Sequence, residues 1–180
     1  WGADASSEMA SSSSDEVKTA GWSTMVSKKY RRATLTAFLL FVCQQLSGIN
    51  AVVYFSTQIF RDAGVTSAVL SSLLVMLVNV AGTAFVAAPL IDRFGRTTML
   101  SASYAGMATS MAVMGACLGL PSLAGTSLLT AVTLLGTIAY VFAFSCGSGP
   151  VPSLLVPELF PAELRGKGGS VAMLSHWGWN

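Results

Sequence analysis

Residues 44–56 read QQLSGINAVVYFS. Two adjacent amides, an asparagine, a tyrosine and a glycine thus sit inside a stretch that carries no charge from residue 33 to residue 60. Uncompensated polar side chains are costly in hydrocarbon, so in a membrane helix they face a bundle interior or a wet cavity. Side-chain amides donate and accept at once, which suits a neutral polyhydroxyl ligand better than an ion. The same groups would also serve as hydrogen-bonding glue between helices, and residue chemistry alone leaves both readings open.

The surroundings of this stretch set the fold class. Of 180 residues, 53% are apolar and 10% charged, whereas a soluble domain carries about a quarter charged residues. The charges are also segregated, with none in residues 33–60, 63–91 or 97–157. A membrane helix needs roughly 20 mostly apolar residues, so the first two runs hold one span each and the third holds two. A large soluble helical protein would instead show a charged face on its helices. The expected architecture is an all-α, polytopic membrane bundle with spans at about 33–60, 67–91, 99–120 and 128–156, and a truncated span over 168–180. Residues 31–180 form this partial bundle. Residues 1–30 read as a Ser-rich, largely disordered loop or linker on the cytoplasmic side. A transit peptide fits it less well, because the first 25 residues hold Asp4, Glu8, Asp15 and Glu16 and no Arg.

The net charge of +2 says little, but its placement orients the chain. Lys28, Lys29, Arg31 and Arg32 precede the first span, Arg93 and Arg96 follow the second, and Arg165 and Lys167 follow the fourth. These clusters fall on one side, which the positive-inside rule makes cytoplasmic. Three cysteines and one histidine offer neither a disulfide framework nor metal-ligand spacing. No nucleophile–base pair or phosphate-cradling loop points to an enzyme. No cofactor, metal or nucleic-acid partner is expected; the lipid bilayer is.

One place allows a helix break and another predicts one. At roughly 100° per residue, Ser47, Asn50, Tyr54 and Thr57 form one polar stripe, with Gln45 and Ser56 nearly opposite. A bend near Ser47 and Gly48 would bring both sets to one cavity, and glycine tolerates that backbone. Farther on, residues 145–161 read SCGSGPVPSLLVPELFP. Gly147, Gly149, Pro150 and Pro152 do not fit a straight helix, since proline removes a donor and clashes one turn back. Broken backbone at membrane depth is tolerated only against protein or a water-lined cavity. It reads as a hinge or gate, or as a static packing kink. Asn79 is the strong polar group of the second span, a ligand contact or an interhelical bond. The third span looks like packing only. Asp92, Arg93, Arg96, Glu158 and Arg165 place both charge signs on one face. As a network that forms in one conformation and breaks in another, they would bias a two-state equilibrium.

Taken in order, QQLSGINAVVYFS, then DRFGR at 92–96, then GSGPVPSLLVPELFP followed by RGKG resemble the sugar porters of the major facilitator superfamily. The resemblance covers residues 21–180, and GWSTMVSKKY, INAVVYFS and SGPVPSLLVPELF are most similar to plastidic glucose transporters. It implies the end of the central loop, helices 7 to 10 and part of helix 11 of the C-terminal half, with the N-terminal half missing. By that resemblance Gln44, Gln45 and Asn50 bind the sugar, with Tyr54 near the outer gate, Asn79 as a helix-8 ligand and Trp177 at the sugar. Gly147, Gly149, Pro150 and Pro152 match the helix-10 hinge, and Asp92, Arg96, Glu158 and Arg165 the salt-bridge network. Five departures stand out. Ser145 replaces a frequent Glu, Ser153 a frequent Trp, His176 a frequent Asn and Thr97 a common second Arg, which weakens the expected inner latch, while Asn79 lies one residue farther from Asp92 than usual. The implied activity is transport of a hexose, glucose first, by alternating access. Facilitated diffusion is favoured because spans one to four hold no carboxylate; proton symport and a non-transporting sugar sensor are the alternatives. The plastid inner envelope is the expected membrane, with the plasma membrane as the alternative.

Overall fold

A computed structural model describes residues 21–62, 67–123 and 125–180. The Ser-rich stretch over residues 1–20 lies outside the described residues. Those described fold entirely as helices and turns. Helix α1 spans Trp22–Val26, α2 Arg31–Leu46, α3 Ile49–Asp62 and α4 Ala68–Ala81. A π-helical turn, Gly82–Ala87, continues directly into α5, Ala88–Phe94. Then come α6 Arg96–Leu118, α7 Ser127–Cys146, α8 Pro150–Leu159 and α9 Ala162–Gly178. The continuous stretches Arg31–Arg61 and Ser127–Leu159 are long and apolar enough to cross a membrane, and Ser72–Phe85 is a shorter apolar helix.

Both long stretches are broken in the middle. The first is α2 followed by α3, because Gly48 takes φ 85° and ends the α2 ladder. A residue with a Cβ pays about 1–2 kcal/mol for that left-handed backbone. The second is α7 followed by α8, where Gly147 adopts φ −151°, ψ −66° and Pro150 opens the new helix. Proline is well placed there, since a first-turn N–H has no intrahelical partner anyway.

The breaks divide the packing into two levels. On one level α2 packs on α9 and α8. Their shared core is Met25, Ala37, Phe41, Val156, Phe160, Leu164 and Ala172. Met25 belongs to α1, so the stretch read as a disordered linker to residue 30 ends in a docked helix. The Thr34 hydroxyl donates to the Met25 carbonyl at 3.0 Å, and the Lys167 ammonium lies 5.6 Å from the Trp22 ring centre. On the other level α3 packs on α4 and α7, with Ile49, Met107, Tyr140 and Val141 buried together. Large apolar side chains of α4 such as Val69, Met76 and Leu77 remain exposed, as lipid-facing positions do.

Close approach between helices rests on small residues, as in membrane bundles generally. A Cβ on Gly82 would stand 2.6 Å from the Ser145 Cβ, and one on Gly147 would stand 2.5 Å from the Met99 carbonyl oxygen. The second contact is with backbone and has nowhere to move. Gly147→Ala is therefore expected to lower the melting temperature of the detergent-purified protein by several degrees. Gly166→Ala, on α9 where a Cβ meets nothing within 4 Å, is expected to leave it unchanged or raise it slightly.

Candidate functional site

The two helix breaks brace one another. The Tyr140 hydroxyl of α7 donates to the Ser47 carbonyl at 2.6 Å, where α2 ends. Gln44 of α2 reaches the opposite way: its Nε2 donates to the Ser148 carbonyl at 2.7 Å and to that of Gly149 at 3.2 Å. Ser103 of α6 closes the second break from another side. Its hydroxyl donates to the Ala143 carbonyl at 2.7 Å and accepts from the Ser148 N–H at 2.9 Å. Backbone groups freed by a broken helix would otherwise stay unpaired in a site shielded from water.

A second amide group sits one turn along. Gln45 is buried, and its Nε2 donates to the His176 carbonyl at 2.8 Å and lies 3.3 Å from the His176 Nδ1. Its Oε1 accepts from Asn50 Nδ2 at 3.2 Å, and Asn50 also donates to the Asn180 side-chain oxygen. The structure thus joins α2, α3 and α9 through Gln45, Asn50, His176 and Asn180. The break at Gly48 makes this possible, for Gln45 precedes it and Asn50 follows it. Tyr54 is 74% exposed and Trp177 70% exposed, so both offer aromatic surface beside buried amides.

The remaining expected site residues lie apart from this cluster. Gln44 faces the α7–α8 break, and its Oε1 is buried with no donor in reach. Asn79 is half-buried near the end of α4, just before the π-helical turn. A π turn, with i→i+5 hydrogen bonds, holds about one residue more than an α turn. It lies between Asn79 and Asp92, the interval expected from the resemblance to be one residue longer than usual. At the end of the bundle that holds the Gly95 corner, Arg96 and Glu158 form an ion pair, and Arg165 Nε donates to the Pro157 carbonyl at 2.9 Å. Asp92 and Arg93 are exposed and stand outside that pair. Gly95, with φ 79°, is the single residue between α5 and α6.

Sequence reasoning missed two contributors. Ser103 lies in the span read as packing only, and nothing in SASYAGM marks one serine over the others. Tyr140 carried a usable signal, because a buried tyrosine in an apolar span needs a partner for its hydroxyl. Among the described residues no group of three or more His, Cys, Asp or Glu is placed to hold a metal ion.

The two helix breaks lie in the two stretches long and apolar enough to cross a membrane, and comparison with known proteins supplies the family. The family model described as "Sugar (and other) transporter" matches residues 3–180. Plastidic glucose transporter 4 of Arabidopsis thaliana is 45% identical over 158 residues, which cover 88% of this chain and 28% of that protein. The facilitated trehalose transporter Tret1 of Apis mellifera ligustica is 37% identical, covering 83% of this chain and 30% of that one. The crystal structure of a double-Trp XylE mutant superposes with a TM-score of 0.69 at 30% identity, over 82% of this chain and 30% of that chain. The chain belongs to the sugar transporter family of the major facilitator superfamily. It spans less than a third of the length of these curated relatives.

The Tyr140–Ser47 bond yields a direct test. Tyr140→Phe keeps the ring but leaves the Ser47 carbonyl without its donor, a loss of roughly 1–3 kcal/mol for a shielded polar group. Thermal unfolding of the purified protein should show the loss. A melting temperature equal to that of the unsubstituted protein would mean that the bond carries no stability.

Proposed function

We propose that this chain supplies the sugar-binding helices of a hexose transporter, with glucose as the first candidate, working by alternating access in a plastid envelope. The reading is carried by one observation: Gln45, bonded to Asn50 and His176 across a helix break, with Tyr54 and Trp177 exposed alongside. Amides replace the hydration of sugar hydroxyls, and exposed aromatic faces stack on the apolar face of a sugar ring. Broken helices at the midplane are the usual seat of such sites, and two bundles then rock about them. Plastidic relatives at 45% and 40% identity favour glucose and the plastid, while the trehalose relative keeps a disaccharide in the test panel.

Gly48 and the segment from Gly147 to Pro152 are the points at which helices bend during the cycle. Gln44 ties them together, so a movement of one break is felt at the other. Its unpaired Oε1 favours a rearranged state in which a donor reaches it. The pair Arg96–Glu158, with Asp92, Arg93 and Arg165 nearby, latches the cytoplasmic side in one state. Both partners of the pair are partly exposed, so the latch is weak and salt-sensitive. Residues 33–60, 67–91, 99–120 and 128–156 hold no carboxylate to relay protons, which favours facilitated diffusion over symport.

The full-length protein, reconstituted in liposomes, is expected to take up radiolabelled hexose. Gln45→Ala should raise KM roughly tenfold, the scale of one lost hydrogen bond plus an unpaired partner. Equal uptake by this variant would sink the site. With an inward proton gradient imposed across the liposome, a protonophore should leave the initial rate unchanged; a slower rate would favour proton symport.

A further inference from the structure

Gln45 meets His176 at two atoms, and together they fix the state of the imidazole. A carbonyl oxygen only accepts, so the 2.8 Å contact with the His176 carbonyl requires the NH2 of Gln45 on that side. That same NH2 lies 3.3 Å from Nδ1, which must then be the acceptor. The ring is neutral with its proton on Nε2. With its NH2 held toward α9, Gln45 has its Oε1 aimed at Asn50. Two rings meet the imidazole edge to face and limit its turning: Phe41 at 5.5 Å between centres and Trp177 at 5.4 Å.

We propose that His176 is a positioning residue of the sugar site, which in its neutral form holds the Gln45 amide in the sugar-binding orientation and releases it on protonation. The inference rests on the transport reading above. A proton added at Nδ1 sets donor against donor. The Gln45 NH2 is then displaced, and with it the Oε1 that Asn50 uses. Turning the amide over is no remedy, because its oxygen would then face the His176 carbonyl oxygen. Sugar affinity therefore falls as the site is acidified, without any carboxylate in the spans.

The other titratable groups on the helices packed here stand away from the ring. Arg31 and Arg32 of α2, Glu158 of α8, and Glu163, Arg165 and Lys167 of α9 belong to the cytoplasmic end. The nearest along α9, Lys167, precedes His176 by nine positions, a rise of about 13.5 Å. Cys43 of α2 is exposed, and α1 carries no titratable side chain. On α3 Tyr54 is exposed, and Arg61 lies eleven positions beyond Asn50, at the far end of that helix.

The test compares the full-length protein with its His176→Asn variant, in which the carboxamide oxygen still accepts from Gln45 but does not titrate. With pH matched across the liposome, KM for glucose should rise roughly 2- to 10-fold between about pH 7.5 and about pH 5.5 in the unsubstituted protein. The rate at saturation should change little, and KM of the variant should stay flat. Identical pH profiles for the two proteins would overturn the inference. A readout independent of transport is the imidazole nitrogen spectrum of histidine-labelled protein. The signals lost in His176→Asn should show an unprotonated Nδ1 at neutral pH, and that nitrogen should shift in Gln45→Ala. A protonated Nδ1, or no response to Gln45→Ala, refutes the positioning role even if no hexose is taken up. Absence of hexose uptake with the expected spectrum would instead count against the transport reading alone.

Discussion

The reciprocal bracing of two helix breaks is the constraint on which the rest depends. Each break strands backbone carbonyls where water is scarce, and each is served by a side chain from the other broken helix. Tyr140 leaves the α7 helix to reach Ser47, and Gln44 leaves α2 to reach Ser148 and Gly149. Neither break is tolerable alone, because an unpaired carbonyl in such a place costs about 1–3 kcal/mol. Ser103 of α6 adds a donor and an acceptor at the second break. The broken pair and α6 therefore form one hydrogen-bonded unit about which the other helices are arranged.

That unit separates two roles that adjacent amides would otherwise share. Gln44 and Gln45 are neighbours in sequence and both are buried, yet they point to different helices. Neighbouring residues on a helix do not face each other. One amide holds the backbone of the α7–α8 break, and the other bridges α2, α9 and α3. The proposed sugar contact and the backbone of the α7–α8 break are thereby held by adjacent residues of one helical turn.

Much of this was legible in the sequence, for physical reasons that differ by residue. The charge-free runs required membrane helices, because nothing else buries such lengths of apolar chain. The Gly-Pro cluster at 147–152 required a break, because proline does not fit an unbroken helix, whereas Gly48 only allowed one beside the split polar stripe. What was not legible was pairing across the bundle. The partner of Gln44 is more than a hundred residues away, and periodicity within one helix carries no information about it. Ser103 was hidden for the same reason. The docked helix α1 escaped notice because five residues, WSTMV, are too few to show a period. Its place is set instead by Met25 filling a gap between α2 and α9.

The π-helical turn at Gly82–Ala87 has a geometric consequence. An inserted residue in an α-helix rotates everything beyond it by about 100°. Unabsorbed, that rotation would swing α5 and the tight Gly95 corner around the helix axis and carry Arg96 away from Glu158. A single wide turn confines the twist to six residues, so the segment after it keeps its azimuth. Counting positions from a relative would thus misassign the faces of the intervening turn while leaving both flanks in phase.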